Sequence, residues 1–211
     1  MKSKYDFKTC EKGITDLISS AHVIDVNAAK SIALNAITFK ARYMWVAERM
    51  GIPWDLICAI HFKESSMRFT RNLCNGEPLN QVTKLVPKGR GPYPDWETSA
   101  LDAIQLQKRI TDTIDISNGW SFAEKLWWAE CYNGLGYRQH GINTPYLWAN
   151  TNQYSKGGYP RDGYYDRDYV IKNSGIFSII WAINDIQGHL DHLPKDFDVR
   201  MTAEEKPELF T

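Results

Sequence analysis

The run from Ile52 to Asn75 constrains the chain more than any other stretch: Ile-Pro-Trp-Asp-Leu-Ile-Cys-Ala-Ile-His-Phe-Lys-Glu-Ser-Ser-Met-Arg-Phe-Thr-Arg-Asn-Leu-Cys-Asn. Pro53 suits the first turn of a helix, where its missing N–H is not needed. Asp55 sets a negative charge near the positive end of that helix. Ile57, Ile60 and Glu64 then follow at spacings of three and four, so they share one face. That face is apolar until its last member, a carboxylate. The pattern predicts a mostly buried helix that leaves the core at Glu64. Partial desolvation and the negative end of the helix dipole both push the pKa of such a carboxyl upward.

A carboxylic acid that holds its proton near neutral pH can protonate a leaving sugar oxygen, as glycosidases require. On spacing alone the same Glu also fits a solvated cap or half of a surface ion pair. Two further segments bear on the choice. Glu64-Ser65, with Phe69 behind it, resembles the end of the catalytic helix in the lysozyme superfamily, in its goose-type and soluble lytic transglycosylase-like branch. Downstream, Ala129-Glu130-Cys131-Tyr132-Asn133-Gly134-Leu135-Gly136-Tyr137 resembles the Ala-Tyr-Asn-Ala/Gly-Gly segment lining the same cleft. Asn75-Gly76-Glu77-Pro78-Leu79 and the stretch from Tyr146-Leu147-Trp148 to Tyr165-Asp166 look like parts of phage-type and bacterial muramidases of this superfamily. The resemblance spans roughly residues 40 to 185.

It implies a mainly α, α+β lysozyme-like fold: a helical domain with a small hairpin or irregular region beside a substrate cleft. It also implies an N-acetylmuramidase that cleaves the β-1,4 bond next to muramic acid in peptidoglycan, with Glu64 as general acid. Asp95 and Glu97 are the candidates for a water-activating base, and Glu77 is a third carboxylate near the cleft. Tyr132 is expected close to Glu64, within reach of a hydrogen bond to it. Asn133 either binds an acetamido group or closes its helix. Ser65, Tyr137 and Tyr154 complete the expected substrate contacts, Tyr154 as an aromatic floor. Asp162 and Asp166 could border the cleft or serve turns. A lytic transglycosylase, which forms 1,6-anhydromuramic acid and needs no second carboxylate, is the alternative. The chain lacks a clean Gly-Leu-(Met/Gln)-Gln block after Asn75, and that favours hydrolysis. A non-catalytic peptidoglycan-binding protein is a third reading.

Composition narrows the remaining classes. The 211 residues suffice for one domain with a sizeable core. After the elements are assigned nothing is left for a separate wall-binding module, and residues 194–211 read as a peripheral tail. With 25 basic and 25 acidic residues the chain lacks the basic excess of a nucleic-acid binder. Eight Trp and eleven Tyr are many for this length, and flat rings suit sugar stacking. The histidines, His22, His61, His140, His189 and His192, do not form a zinc-ligand pattern, so neither metal nor cofactor is expected. Cys10, Cys58, Cys74 and Cys131 match no compact zinc spacing, and a Cys74–Cys131 bridge stays open. No signal-type run occupies Met1 to Ser20, and Ile176 to Ile183 is too short to span a bilayer. The expected product is a cytoplasmically made monomer, not integral to the membrane, that acts on peptidoglycan glycan strands in the periplasm. By the resemblance it would be an endolysin whose release depends on a holin-like membrane protein.

Periodicity predicts a helix around Ile14 to Ile24, and a break and cap at Asp25-Val26-Asn27. A long helical stretch with a kink or join follows from Ala28 to Met50. Further helices are expected from Asp95 to Ile110, from Phe122 to Cys131 and from Gly175 to Leu190. Residues 65 to 96, rich in Pro and Gly, lose the helical period. Val82, Leu85 and Val86 are expected on one edge of a short hairpin, next to the basic loop Lys88-Gly89-Arg90-Gly91.

Overall fold

In the computed structural model, which describes residues 6–161 and 163–190, Asp6 opens the first helix by accepting the Thr9 N–H at 2.8 Å. α1 (Phe7–Ser20) buries Cys10 and Ile14 against a later helix. It starts before the expected Ile14 because the Asp6 cap lies upstream of the apolar stripe. Asp25 caps α2 (Val26–Thr38), as its position predicts, accepting the Ala28 N–H at 2.9 Å. The chain breaks at Phe39 and resumes as α3 (Lys40–Met50), which is the expected join. Gly51, with φ of 66°, then turns the chain into the central helix.

α4 (Trp54–Ser65) is that central helix, entered at Pro53 as the sequence predicts. Leu56, Ile57, Cys58, Ala59, Ile60 and His61 are all buried, so it is sheathed on every side rather than on one face. It packs against α2, α3 and two helices that follow. Asp55 does more than meet the helix dipole. It is buried and pairs with Lys125 at 2.5 Å.

α5 (Trp96–Leu106) is capped by Asp95 and followed by the short α6 (Lys108–Thr111). α7 (Phe122–Asn133) opens with a capping box between Ser121 and Glu124. The short α8 (Gly136–Gln139) and α9 (Pro145–Trp148) lead to a two-stranded antiparallel sheet, β1 (Gly158–Arg161) and β2 (Tyr164–Asp166), with Gly158 opposite Asp166. α10 (Ile176–Leu190) closes the core with Ile176, Ile179, Ile180, Ile183 and Ile186 against α2, α4, α7 and α9. The alanine stripe of α2, Ala29, Ala33 and Ala36, allows a close approach to α10. The described residues are thus mainly helical, with one small sheet. None of their helices is long and apolar enough to cross a membrane.

The hairpin is not where the sequence places it. Val82, Leu85 and Val86 are exposed on an irregular loop. The N–H groups of Lys84 and Leu85 go to the Glu77 carboxylate instead of a partner strand. The strands form at Gly158–Asp166, where Tyr159 and Tyr165 pack on His140. The Cys74–Cys131 bridge is not formed; all four cysteines are free. Trp96, Trp127, Trp128 and Trp148 are core residues, so four of the eight Trp serve packing rather than an exposed sugar-stacking surface. Residues 194–211, His192 and Asp162 lie outside the described residues.

Candidate active site

Glu64 sits one residue before the end of α4. The chain then turns through Ser66 and Met67, at φ 52° and 59°, two successive non-glycine residues in the left-handed region. Their N–H groups bond back to Phe62 and His61 carbonyls at 2.8 and 3.2 Å, which closes the helix and compensates the local cost. The next segment folds back over the helix end. Buried Asn72 orders it: its side chain bonds to the Glu77 carbonyl at 2.9 Å, and its carbonyl accepts the Gly76 N–H at 3.1 Å. This seats Gly76, at φ 73°, directly on the Glu64 carbonyl, where a Cβ would collide.

A second wall comes from α9. Thr144 caps it and Pro145 occupies its first turn. Gly175, at the head of α10, touches the Leu147 carbonyl so closely that no side chain fits there. This approach holds α9 against α10, and α9 also packs on α7. Tyr146 then donates its hydroxyl proton to Glu64 Oε1 at 2.9 Å, across 82 positions of sequence.

Glu64 is half-buried. Burial pushes its pKa from 4.5 up to about 7, against the opposing hydrogen bond from Tyr146 and the charge of Lys63. Burial wins because Lys63 does not turn toward it. Its Nζ bonds to Asn173 Oδ1 at 2.8 Å and the Ser174 carbonyl at 3.2 Å, 5.6 Å from the Tyr146 ring centre. Lys63 is itself drawn down to about 8 by burial, which the charge of Glu64 opposes. Because Tyr146 occupies Oε1, Oε2 is left to carry the exchangeable proton.

The expected partners fall into two groups. Tyr132 is near the site, but its hydroxyl donates to the Leu73 carbonyl at 2.7 Å and not to Glu64. It braces the returning segment, and Tyr146 takes the part expected of it. Ser65 is buried and bonds to the His61 carbonyl at 3.4 Å, a local helix-end contact. Asn133 is exposed at the end of α7.

The remaining candidates have structural partners. Asp95 is exposed, and its Oδ1 accepts the Thr98 N–H at 2.7 Å; bonds from Thr98 hold its pKa low. Glu97 pairs with Arg42 at 2.5 and 2.8 Å, and that guanidinium holds its pKa low too. Glu77 accepts from the backbone of Lys84 and Leu85 and from Asn75 Nδ2. Tyr137 is buried edge-to-face with Tyr159 in the hairpin cluster. Tyr154 donates to the Gly157 carbonyl at 3.0 Å and accepts the Ile171 N–H at 3.1 Å, so it braces the hairpin. Asp166 accepts the Asp168 N–H, a turn contact.

Behind the site, His61, Phe69, Tyr43 and Trp96 form a buried aromatic cluster that fixes α4 to α3 and α5. His61 Nδ1 lies 2.9 Å from the Tyr43 hydroxyl, and burial pulls its pKa down to about 4, so the ring is neutral at ordinary pH. A neutral ring adds no charge beside the helix end. Tyr146 begins a stretch that resembles the muramidases, but sequence reasoning assigned no role at the site to it or to Lys63. The Thr144-Pro145 helix start was a signal for α9, yet nothing in it indicated which carboxylate the tyrosine would meet. Comparison with known proteins found no matching family, no matching curated relative and no matching solved structure.

Proposed function

We propose that the protein is a lysozyme-like glycosidase acting on peptidoglycan, with Glu64 as the acid that protonates the glycosidic oxygen. One observation carries this reading: a half-buried carboxyl that holds its proton to about pH 7 and is aimed by a tyrosine hydroxyl. A raised carboxylic acid of this kind is suited to supply a proton to a leaving sugar. The resemblance of Glu64-Ser65 and of the Ala129–Tyr137 segment to the muramidases directs the reading to muramic acid linkages.

In the reaction, Oε2 gives its proton to the bridging oxygen as the C1–O bond breaks. Tyr146 then steadies the carboxylate that forms. The sugar cation is next captured by an oxygen nucleophile. In an inverting hydrolase this is water, activated by a second carboxylate about 6.5–9.5 Å from the first. In a lytic transglycosylase it is the sugar's own C6 hydroxyl, whose proton returns to Glu64.

The structural duties of Asp95, Glu97 and Glu77 favour the second route. Each of the three is already engaged by a cap, an arginine or loop N–H groups. Hydrolysis remains the reading drawn from the missing transglycosylase block. Mass spectrometry of soluble fragments from purified peptidoglycan decides between them. Reducing muramic acid ends establish the hydrolase, and ends lighter by one water establish the transglycosylase. Release of neither sinks the glycosidase reading. An endolysin's role in lysis, with release through a holin-like partner, belongs to the same proposal.

A further inference from the structure

The loop that rises from the Glu64 end of α4 presents an unusual surface. Val82, Leu85 and Val86 are 49%, 60% and 78% exposed, although the loop is firmly built. Thr83 is buried at its centre: its hydroxyl donates to the Pro87 carbonyl at 2.6 Å and accepts the Arg90 N–H at 2.9 Å. Glu77 holds the Lys84 and Leu85 N–H groups from below. Arg90 is locked onto Asp102, with Tyr93 donating to the same carboxylate at 2.6 Å. The apolar side chains therefore face outward because the scaffold presents them, not because the segment lacks structure.

Charge accompanies them. Lys84 and Lys88 are exposed and form no ion pair among the described residues. The nearby carboxylates, Glu77 and Asp102, are already taken up by loop N–H groups and by Arg90. In a chain with zero formal net charge this is a locally positive, apolar patch. It also adjoins the backbone of Glu64. Gly76 rests on the Glu64 carbonyl, Glu77 follows it, and the Glu77 carboxylate touches the Leu85 N–H at 3.0 Å. One residue step of about 3.8 Å and one side chain separate the loop tip from the backbone of Glu64.

We propose that residues 82–88 form a subsite for an acidic peptide with small apolar side chains, the chemistry of the stem peptide carried by muramic acid. The proposal rests on the glycosidase reading for its substrate. Lysines complement the stem carboxylates, and Leu85 and Val86 cover its alanine methyls. An anionic bilayer is the weaker match. Even a whole acyl chain gives only marginal membrane attachment, and three short side chains with two lysines offer less apolar surface than that. A peptide already tethered to a bound glycan needs only a modest contact.

The test titrates the 211-residue Glu64→Gln chain with two probes, N-acetylglucosaminyl-N-acetylmuramyl-tetrapeptide and the same disaccharide without peptide. The peptide-bearing probe should bind at least about tenfold tighter, equivalent to about 1.4 kcal/mol. Adding Leu85→Asp and Lys88→Glu should erase that difference and leave the affinity for the bare disaccharide unchanged. Equal affinity for both probes overturns the proposal. So does an equal loss for both probes in the loop variant, which would put the loop in glycan binding or in folding. Binding to phosphatidylglycerol vesicles that the loop substitutions abolish, without any peptide preference, overturns it in favour of a membrane. Cleavage is scored separately on the parent chain. Glycan cleavage without peptide preference removes the subsite and keeps the glycosidase. Peptide-selective binding without cleavage removes the glycosidase and keeps the subsite.

Discussion

Glu64→Gln should stabilise the protein, and only above acidic pH. The carboxyl has an ordinary pKa of 4.5 and reaches about 7 in the fold. Between those values the folded state holds a proton that the unfolded chain has released, so stability contributed by this group falls as pH rises. It is intact below pH 4.5 and lost once pH passes 7. At about 1.4 kcal/mol per pH unit, the ionised carboxylate costs the native state about 3 kcal/mol. Gln has the same size, still accepts the Tyr146 hydroxyl proton and never ionises. Urea unfolding of parent and variant at pH 4, 5.5, 7 and 8 should therefore give curves whose difference grows toward pH 7 and then levels. At pH 8 the variant should melt about 6–12 °C higher, from about 2–4 °C per kcal/mol for a chain of this size. Other titrating groups are common to both proteins and cancel in the difference. A difference that does not change with pH would show that Glu64 is not held as a buried acid, and the functional argument would lose its basis.

Three other perturbations separate the site's parts. Tyr146→Phe removes a bond that favours the carboxylate, so the falling limb of the pH–rate profile near 7 should move upward by about one pH unit, roughly the extra strength of a charge-assisted over a neutral bond; a downward move contradicts the assigned donor. Gly76→Ala places a Cβ on the Glu64 carbonyl at a positive φ. It should cost about 1–3 kcal/mol in chemical denaturation and depress turnover with it. Asp95→Ala should cost about 1 kcal/mol of stability through the lost cap and leave turnover within about twofold; a loss of several hundredfold would make Asp95 the water-activating base after all.

The central helix could be read because its signals are local. Pro53 opens it, the run from Leu56 to Ile60 has no polar break, and Glu64 is the first carboxylate after that run. The cap at Asp25 was legible for the same reason: donor and acceptor are three residues apart. The partner of Glu64 was not legible. Tyr146 reaches it through a short helix held in place by the close approach of Gly175 to Leu147, which no periodicity reports. Tyr132 lay in the more suggestive motif but spends its hydroxyl on Leu73. Glu97 kept its appeal as a base only while Arg42, 55 positions earlier, was not known to face it. The hairpin was misplaced because Val82 and Val86 suit a strand, whereas the Glu77 carboxylate captures the N–H groups a strand would share.

The most direct measurement is the rate at which the parent and Glu64→Gln chains release soluble fragments from purified peptidoglycan at pH 6. The parent should release fragments steadily and the variant should lose about a thousandfold, within the range of about 10²–10⁴ that general acid catalysis contributes. A Glu64→Gln protein that folds, binds the polymer and releases fragments at the parent's rate would contradict the assignment of Glu64 as the acid.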